Sequence, residues 1–378
     1  MPMALGPDSL DITNTNSRVK QSTGKASGNI WKKITRSNFL IKLTNWEFWP
    51  FYVFYIPVFA FWGTLILRAR AVFFFSAANP SIENGGMLGE SKIKILNAIP
   101  AELKPTTIYC QPDISKKHLL KTLDEHNIHY PFILKPDIGE RGSFVEKIQD
   151  EKELEDYLCK IKVPFLAQDY IDYPIEMGVF YYRYPSQAKG KVSSIVLKKM
   201  LGVVGDGTKT IKELMLMNPR AKLQLSSLEK VWGDQLEQVL PYGEEKELES
   251  IGNHCRGTAF LNGNDLINDQ LHQVFDQICK SIPGFYFGRF DMRCRSIDDL
   301  YKGRGIKIME LNGAGSEPAH IYQPGTSIFT AYRDIFHHLS VLLKISKENH
   351  KSGVPYMTLK EGFREIKKLR AYNKLKNA

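Results

Sequence analysis

Asp291, Glu310 and Asn312 are the residues of this 378-residue chain whose types and spacing point most directly to chemistry. They lie in two stretches, Gly288-Arg289-Phe290-Asp291-Met292-Arg293 and Ile308-Met309-Glu310-Leu311-Asn312-Gly313. Alternate residues of a strand share a face, so Arg289, Asp291 and Arg293 point one way, and Glu310 and Asn312 point together. If the two strands pair, the three residues form one cluster of oxygen ligands. Hard oxygen donors suit Mg²⁺, with Mn²⁺ as a second choice, because such ions complete their shell with water and phosphate oxygens. Arg289 beside them would neutralise a phosphoryl group or an acyl-phosphate. The same letters also describe a plain ion-pair ladder across two surface strands.

A second set is Lys135-Pro136-Asp137-Ile138-Gly139-Glu140-Arg141-Gly142-Ser143. A lysine closes an apolar strand, and a turn containing Gly139 and Gly142 leads to Ser143 and another strand. Small residues let backbone N–H groups approach phosphate, and the lysine adds a point charge. The spacing is not that of a G-x-x-x-x-G-K-[ST] loop, and an ordinary hairpin turn has the same composition. The third set is Gln168, Asp169, Tyr170 and Ile171 followed by Glu176. A strand leaving the core there offers backbone groups to an adenine edge, and a carboxylate a few residues on can accept from ribose hydroxyls.

The elements that must position these residues read as mixed α+β. Helices are expected over 114–126, 150–160, 210–217, 266–281 and 328–343. Strands are expected over 131–135, 143–148, 165–168, 176–184, 192–200, 285–293 and 305–312. A domain division follows: a polar basic leader over 1–30, an aromatic helical segment and linker over 31–90, a catalytic body over 91–345, and a basic amphipathic helix over 346–378.

Charge is placed unevenly. The net charge is +10, yet residues 1–44 carry seven Lys/Arg against two Asp and residues 356–378 seven against two Glu, leaving a neutral middle. A neutral body with basic ends argues against a broad nucleic-acid-binding face and favours anionic lipid as the partner, with ordinary solvated basic tails as the alternative. Residues 48–67 form a run of twenty without a charge, nine of them Phe, Trp or Tyr, interrupted by Pro50 and Pro57. A kinked, re-entrant or interfacial anchor at the cytoplasmic face of a membrane is expected, rather than one clean crossing; an aromatic helix pair packed on the body is the alternative. Leu359, Phe363, Ile366, Leu369, Tyr372 and Leu375 follow helical spacing and support a membrane contact. The five cysteines are widely spaced with no C-x-x-C pair, which fits a reducing compartment and gives no zinc or disulfide framework.

Taken in order, the three sets resemble the ATP-grasp superfamily over about residues 110–345. Gly288-Arg289-Phe290-Asp291 followed by Glu310-Leu311-Asn312 is similar to the G-R-x-D and E-x-N stretches of D-alanine–D-alanine ligases. Arg183, Lys198-Lys199, the run Val203-Val204-Gly205-Asp206-Gly207-Thr208-Lys209-Thr210-Ile211-Lys212-Glu213-Leu214, and Asn253-His254-Cys255-Arg256-Gly257-Thr258 resemble the ATP-grasp part of cyanophycin synthetase. The resemblance implies two α/β lobes clasping ATP. Lys135, Gly139, Gly142, Ser143, Gln168, Tyr170, Ile171, Glu176, Arg183 and Lys198 would hold the nucleotide. Asp291, Glu310 and Asn312 would hold two Mg²⁺ ions, and Arg289 and Lys199 would act in catalysis.

The implied reaction joins a carboxylate to an amine or thiol through an acyl-phosphate. A kinase acting on a small-molecule acceptor, or a membrane-attached nucleotide-binding protein without catalysis, are the rival readings. Two departures stand out. The α/β domain that usually precedes these ligases is replaced by the aromatic segment, and Gln168 stands where an acidic residue is common. Ser316, Glu317 and His320, just after Asn312, either shape an acceptor site or simply build a loop. His337 and His338 read as packing and surface.

Overall fold

The computed structural model describes residues 37–139 and 142–378, so the leader expected over 1–30 and the hairpin residues Glu140 and Arg141 lie outside the described residues. Proline divides the apolar run into short pieces. Helix α1 (Asn38–Thr44) and a 3-10 turn over Trp46–Phe48 lead to α2 (Phe51–Phe54) and α3 (Ile56–Ala69), with Pro57 in the first turn of α3. A proline there costs nothing, because the first N–H groups of a helix have no partner to lose. The fourteen residues of α3 rise only about 21 Å, short of a bilayer core of about 30 Å. No helix among the described residues is long and apolar enough to cross a membrane. One face of the segment instead packs on the body, through buried Phe54, Val58 and Leu65. Trp46 stacks on Phe54 with ring centroids 4.8 Å apart, and Phe61 stacks on Phe336 at 4.5 Å. The packed alternative therefore holds for this inner face, and aromatic content alone is no longer an argument for lipid.

After a short helix α4 (Lys92–Asn97), a first lobe is built from β1 (Thr107–Cys110), α5 (Lys116–Glu125), β2 (Phe132–Pro136), β3 (Glu146–Ile148), α6 (Glu151–Lys160) and β4 (Phe165–Asp169). Its sheet runs β1-β4-β2-β3 with antiparallel neighbours. Ser115 and Asp150 cap the two helices through their side-chain oxygens. Leu119, Leu123, Phe132, Leu134, Tyr157 and Phe165 fill the core between helices and sheet.

The second lobe holds β5 (Ile175–Tyr182), β6 (Lys191–Lys199), β7 (Leu201–Val204), α7 (Ile211–Met217), α8 (Pro219–Trp232), β8 (Glu245–Glu249), β9 (Ala259–Asn262), α9 (Asp269–Lys280), β10 (Phe287–Cys294), α10 (Ile297–Tyr301) and β11 (Ile306–Asn312). Five strands form an antiparallel sheet in the order β11-β10-β5-β6-β9, and β7 and β8 pair separately. Alternation sorts β5 and β10 cleanly. Met177, Val179, Tyr181, Phe290 and Met292 enter the core shared with α9, whereas Glu176, Gly178, Phe180, Arg289, Asp291 and Arg293 lie on the opposite face. Half of that face is covered by apolar packing with α11 (Ile328–Lys351), around Phe180, Tyr182 and Phe287. The other half is polar.

Helix α11 continues through the boundary expected at 345, because Ile345, Ser346 and Asn349 are buried against residues 74–78. Asn349 Nδ2 donates to Ala77 O at 2.8 Å. Helix α12 (Leu359–Lys376) is begun by a Thr358–Glu361 capping box. The middle of its apolar stripe packs on the protein. Ile366 joins the cluster around Phe74, and Tyr372 joins the core of the first lobe. That corrects the reading of the whole stripe as membrane-facing; Leu359, Phe363 and Leu375 remain exposed.

Candidate active site

The two strands expected to carry the metal set are paired. Asp291 stands opposite Glu310, and Arg289 opposite Asn312. A bulge after Asp291 leaves Met309 without a partner on β10, and its carbonyl accepts from Lys135 Nζ at 3.1 Å. Lys135 Nζ also donates to Gln168 Oε1 at 2.9 Å. The lysine at the end of β2 thereby reaches across from the first lobe to the strand that carries Glu310.

Asp291 is the hub of the polar face. Its Oδ2 accepts from Arg289 Nη2 at 3.0 Å and from Asn312 Nδ2 at 2.9 Å, and Lys198 Nζ lies 3.3 Å from Oδ1. Lys198 also pairs with Glu176 at 3.1 Å, and Arg293 donates to the other oxygen of Glu176 at 2.9 Å. Burial opposes ionisation of Asp291, yet the Arg289 and Lys198 charges outweigh it and hold the carboxyl down at about 2. Burial likewise works against the charges of Lys198 and Arg289, and the neighbouring carboxylates win, so both pKa values are raised. Lys135 goes the other way. Its burial outweighs the attraction of Glu310 and lowers it to about 8.

Lys92, at the start of α4, was not foreseen. Its Nζ donates to Gly139 O at 2.5 Å and lies 3.5 Å from Glu310 Oε1, joining the glycine hairpin to β11. One of two lysines in a six-residue helix gives no local signal; the contact with Asp137, whose Oδ1 accepts from Ile93 N at 2.9 Å, brings it there. Arg256 holds the other end of the hairpin, donating to Gly142 O at 3.0 Å and Val145 O at 3.2 Å. Gly142 has φ +67°, and a Cβ on it would meet Asn253 Nδ2 at 2.8 Å, so this position requires glycine. Ser143 lies in the turn between Gly142 and β3.

Some expected residues are placed elsewhere or otherwise engaged. Lys199 is exposed and points to the opposite face from Lys198, since neighbours on a strand alternate; Lys198, not Lys199, reaches Asp291. Arg183 follows the far end of β5, where it stacks over the Tyr286 ring at 4.7 Å and donates to Gln187 O, well away from Asp291. Glu176 is held by two cations. Tyr170 and Ile171 adjoin it, with Arg293 Nη1 donating to Ile171 O at 2.9 Å.

The loop after Asn312 is packed tightly against residues 79–88. A Cβ on Gly86 would lie 2.6 Å from Gly313 Cα, and Ala314 N donates to Gly85 O at 2.9 Å. Glu317 accepts hydrogen bonds from Tyr55 on one oxygen and from Tyr322 at 2.8 Å on the other, while its carbonyl accepts from Arg289 Nη1 at 3.3 Å. The aromatic N-terminal segment thus lines the surroundings of Arg289. Ser316 Oγ donates to Gly313 O at 2.6 Å and serves the turn. His320 bridges Ser194 Oγ (2.7 Å) and Asp334 Oδ2 (3.1 Å), a Ser-His-Asp chain. Ser194 is fully buried, so the chain anchors the loop rather than presenting a nucleophile.

The donor set suits a hard cation in its chemistry. Asp291 is ionised, Glu310 stands opposite it and is partly exposed, and Asn312 adds an amide. No group of three or more His, Cys, Asp or Glu among the described residues is placed to hold a metal. The trio holds only two acids, with an amide as its third donor.

No protein-family profile matches the chain, and no curated protein matches it. Among solved structures it is similar to D-alanine–D-alanine ligase from Bacillus anthracis, with TM-score 0.39 and 12% identity over 70% of this chain and 69% of that one. It is also similar to a carboxyaminoimidazole ribonucleotide synthase from Aspergillus clavatus complexed with ATP, with TM-score 0.39 and 12% identity over 71% and 53%. A bifunctional glutathione synthetase from Pasteurella multocida aligns with TM-score 0.34 and 15% identity, over 65% of this chain and 36% of its own. The chain thus spans about a third of that last enzyme. At TM-scores this low the likeness carries no functional argument, which rests on the side chains.

Proposed function

We propose that this protein is an ATP-dependent carboxylate–amine or carboxylate–thiol ligase of the ATP-grasp type. One observation carries the reading: Asp291 is flanked by Arg289 and Lys198 and stands opposite Glu310, and Lys135 reaches in from the other lobe to the Met309 carbonyl beside Glu310. Lys92, Lys135, Lys198, Arg289 and Arg293 gather around Glu176, Asp291 and Glu310, with Glu317 beside Arg289, and this concentration of cations suits a polyphosphate.

In the proposed reaction a substrate carboxylate oxygen attacks the γ-phosphorus of ATP, the bond to the bridging oxygen breaks, and ADP leaves. The amine nitrogen then attacks the acyl carbon, phosphate departs, and the nitrogen loses a proton. Lys135 and Lys198 hold phosphate oxygens, and Arg289 holds the acyl-phosphate. Asp291, Glu310 and Asn312 would hold Mg²⁺, which when bound neutralises charge on the phosphate oxygens. The hairpin carrying Gly139 and Gly142, tethered by Lys92 and Arg256, excludes water that would hydrolyse the acyl-phosphate. Glu317, held by Tyr55 and Tyr322 beside Arg289, would bind the amine of the acceptor. The reading keeps the protein at the cytoplasmic face of a membrane, where ATP and anionic lipid meet.

The test is ADP release over a panel of carboxylate–amine pairs, by the wild type and by Asp291→Ala. Substrate-dependent ADP, free phosphate and an amide product from the wild type alone support the reading. Equal rates from both proteins, or a stable phosphorylated acceptor as the product, overturn it.

A further inference from the structure

Helix α3 is apolar on both sides. Val58 and Leu65, seven residues apart, are buried against the body. Ile56, Phe59, Ala60, Gly63 and Leu67 recur at helical spacing on the outer side, and Ile56, Phe59 and Leu67 are 64%, 56% and 78% exposed. A Cβ on Gly63 would meet nothing within 4 Å, so no part of the described protein covers this stripe there. The same segment leaves Tyr52 70% and Phe39 71% exposed, with Leu43 one turn beyond Phe39. A surface helix normally turns mostly polar residues outward; this one turns out Thr64 and Arg68 beside a larger apolar stripe, and such an uncovered apolar surface marks a binding face.

The charges on the segment identify what covers it. From residue 37 to residue 82 the exposed charged side chains are Lys42, Arg68 and Arg70, all cationic. The single acid, Glu47, is buried in ion pairs with Arg220 and His254. Two copies meeting through this face would bring like charges together, whereas an anionic lipid surface would satisfy both the cations and the apolar stripe. Phe, Tyr and Leu at the boundary with Lys and Arg beside them are the composition of a helix lying in the headgroup region. Because α3 is too short to cross, the contact lies in the plane of the bilayer.

We propose that the outer face of α1–α3 is a monotopic docking surface for an anionic lipid bilayer. Its inner face meanwhile helps build the surroundings of Arg289, through the Tyr55–Glu317 hydrogen bond. The docking proposal does not depend on the ligase reading, since lipid binding and ATP turnover are measured separately.

The test uses the full chain with sedimented vesicles of phosphatidylcholine, with and without about 30% phosphatidylserine. The wild type is expected to bind the anionic vesicles at least about tenfold more tightly, with the preference weakening in salt. The double variant Ile56→Glu/Phe59→Glu should lose at least about tenfold of that binding while keeping its melting temperature, because neither side chain belongs to the core. Arg68→Glu/Arg70→Glu should remove the anionic preference. Wild-type failure to bind either vesicle, or undiminished binding by Ile56→Glu/Phe59→Glu, overturns the proposal. So does a vesicle-free dimer that this double variant dissolves when no lipid binding is seen.

Discussion

Asp291 stands directly across from Gly178 in the register of β10 and β5, and the missing side chain at 178 makes the space in which Asp291 and Arg289 lie. A Cβ there would sit 3.2 Å from both Asp291 Oδ1 and Arg289 Cδ, and 2.8 Å from Val196 Cγ1. Gly178→Ala should therefore push Arg289 off Asp291. We expect ATP turnover to fall by at least about tenfold, with a stability loss of about 1–3 kcal/mol from overpacking. Steady-state kinetics beside a urea melt checks both.

Lys135 supplies a pH signature. Burial lowers its folded value to about 8 from the 10.5 of a free lysine. Between these values the unfolded chain keeps a proton that the folded one has released, so this group's contribution to stability rises with pH across that window. Activity moves the opposite way, because a neutral amine no longer holds phosphate. The expected profile of kcat/KM for ATP falls as pH rises through about 8. In Lys135→Arg that limb should vanish, since arginine stays charged.

Lys198 and Lys199 are neighbours with different fates. Lys198→Ala removes the cation between Glu176 and Asp291, whereas Lys199→Ala trims an exposed side chain. ATP turnover should drop by about a hundredfold or more in the first and by less than about twofold in the second. Equal effects would mean that the sheet face is assigned wrongly.

Asp291 also links the site to acid stability. Its folded value of about 2 lies below the ordinary 3.8, so its contribution is complete above about 4 and is lost as pH falls toward 2. The gap in unfolding free energy between wild type and Asp291→Asn, followed by denaturant titration, should narrow over that interval.

Asn79 fastens residues 79–88 beneath the site. Its Nδ2 donates to Gly85 O and Phe287 O, and its Oδ1 accepts from Tyr286 N and Phe287 N, all with the residue fully buried. Asn79→Leu would orphan these backbone groups at about 1–3 kcal/mol each, less whatever water recovers. A loss of about 3 kcal/mol or more by urea titration is the expected result.

Much of the framework was readable before folding was considered. The strand ending at Lys135, the Thr210 helix start and the β10–β11 pair emerge from period-two and period-3.6 patterns with their caps. Helix α8 was missed although Asn218 caps it and Pro219 occupies its first turn. Strand β8, Glu-Lys-Glu-Leu-Glu, is so charged that only pairing with β7 makes it a strand. The aromatic run was ambiguous because apolar residues look alike whether they meet lipid or protein. Which side of α3 found protein depended on α11, far along the chain.

Local sequence alone determined that Arg289, Asp291 and Arg293 share one face, and that Glu310 and Asn312 share another, because side-chain alternation is a property of any extended backbone. Folding decided the rest: that those faces coincide, that Lys198 and not Lys199 joins them, that Arg183 stays outside, and that Lys92 reaches Glu310. Such contacts come from pairing and burial summed over the whole chain, and no window of neighbouring residues contains that sum.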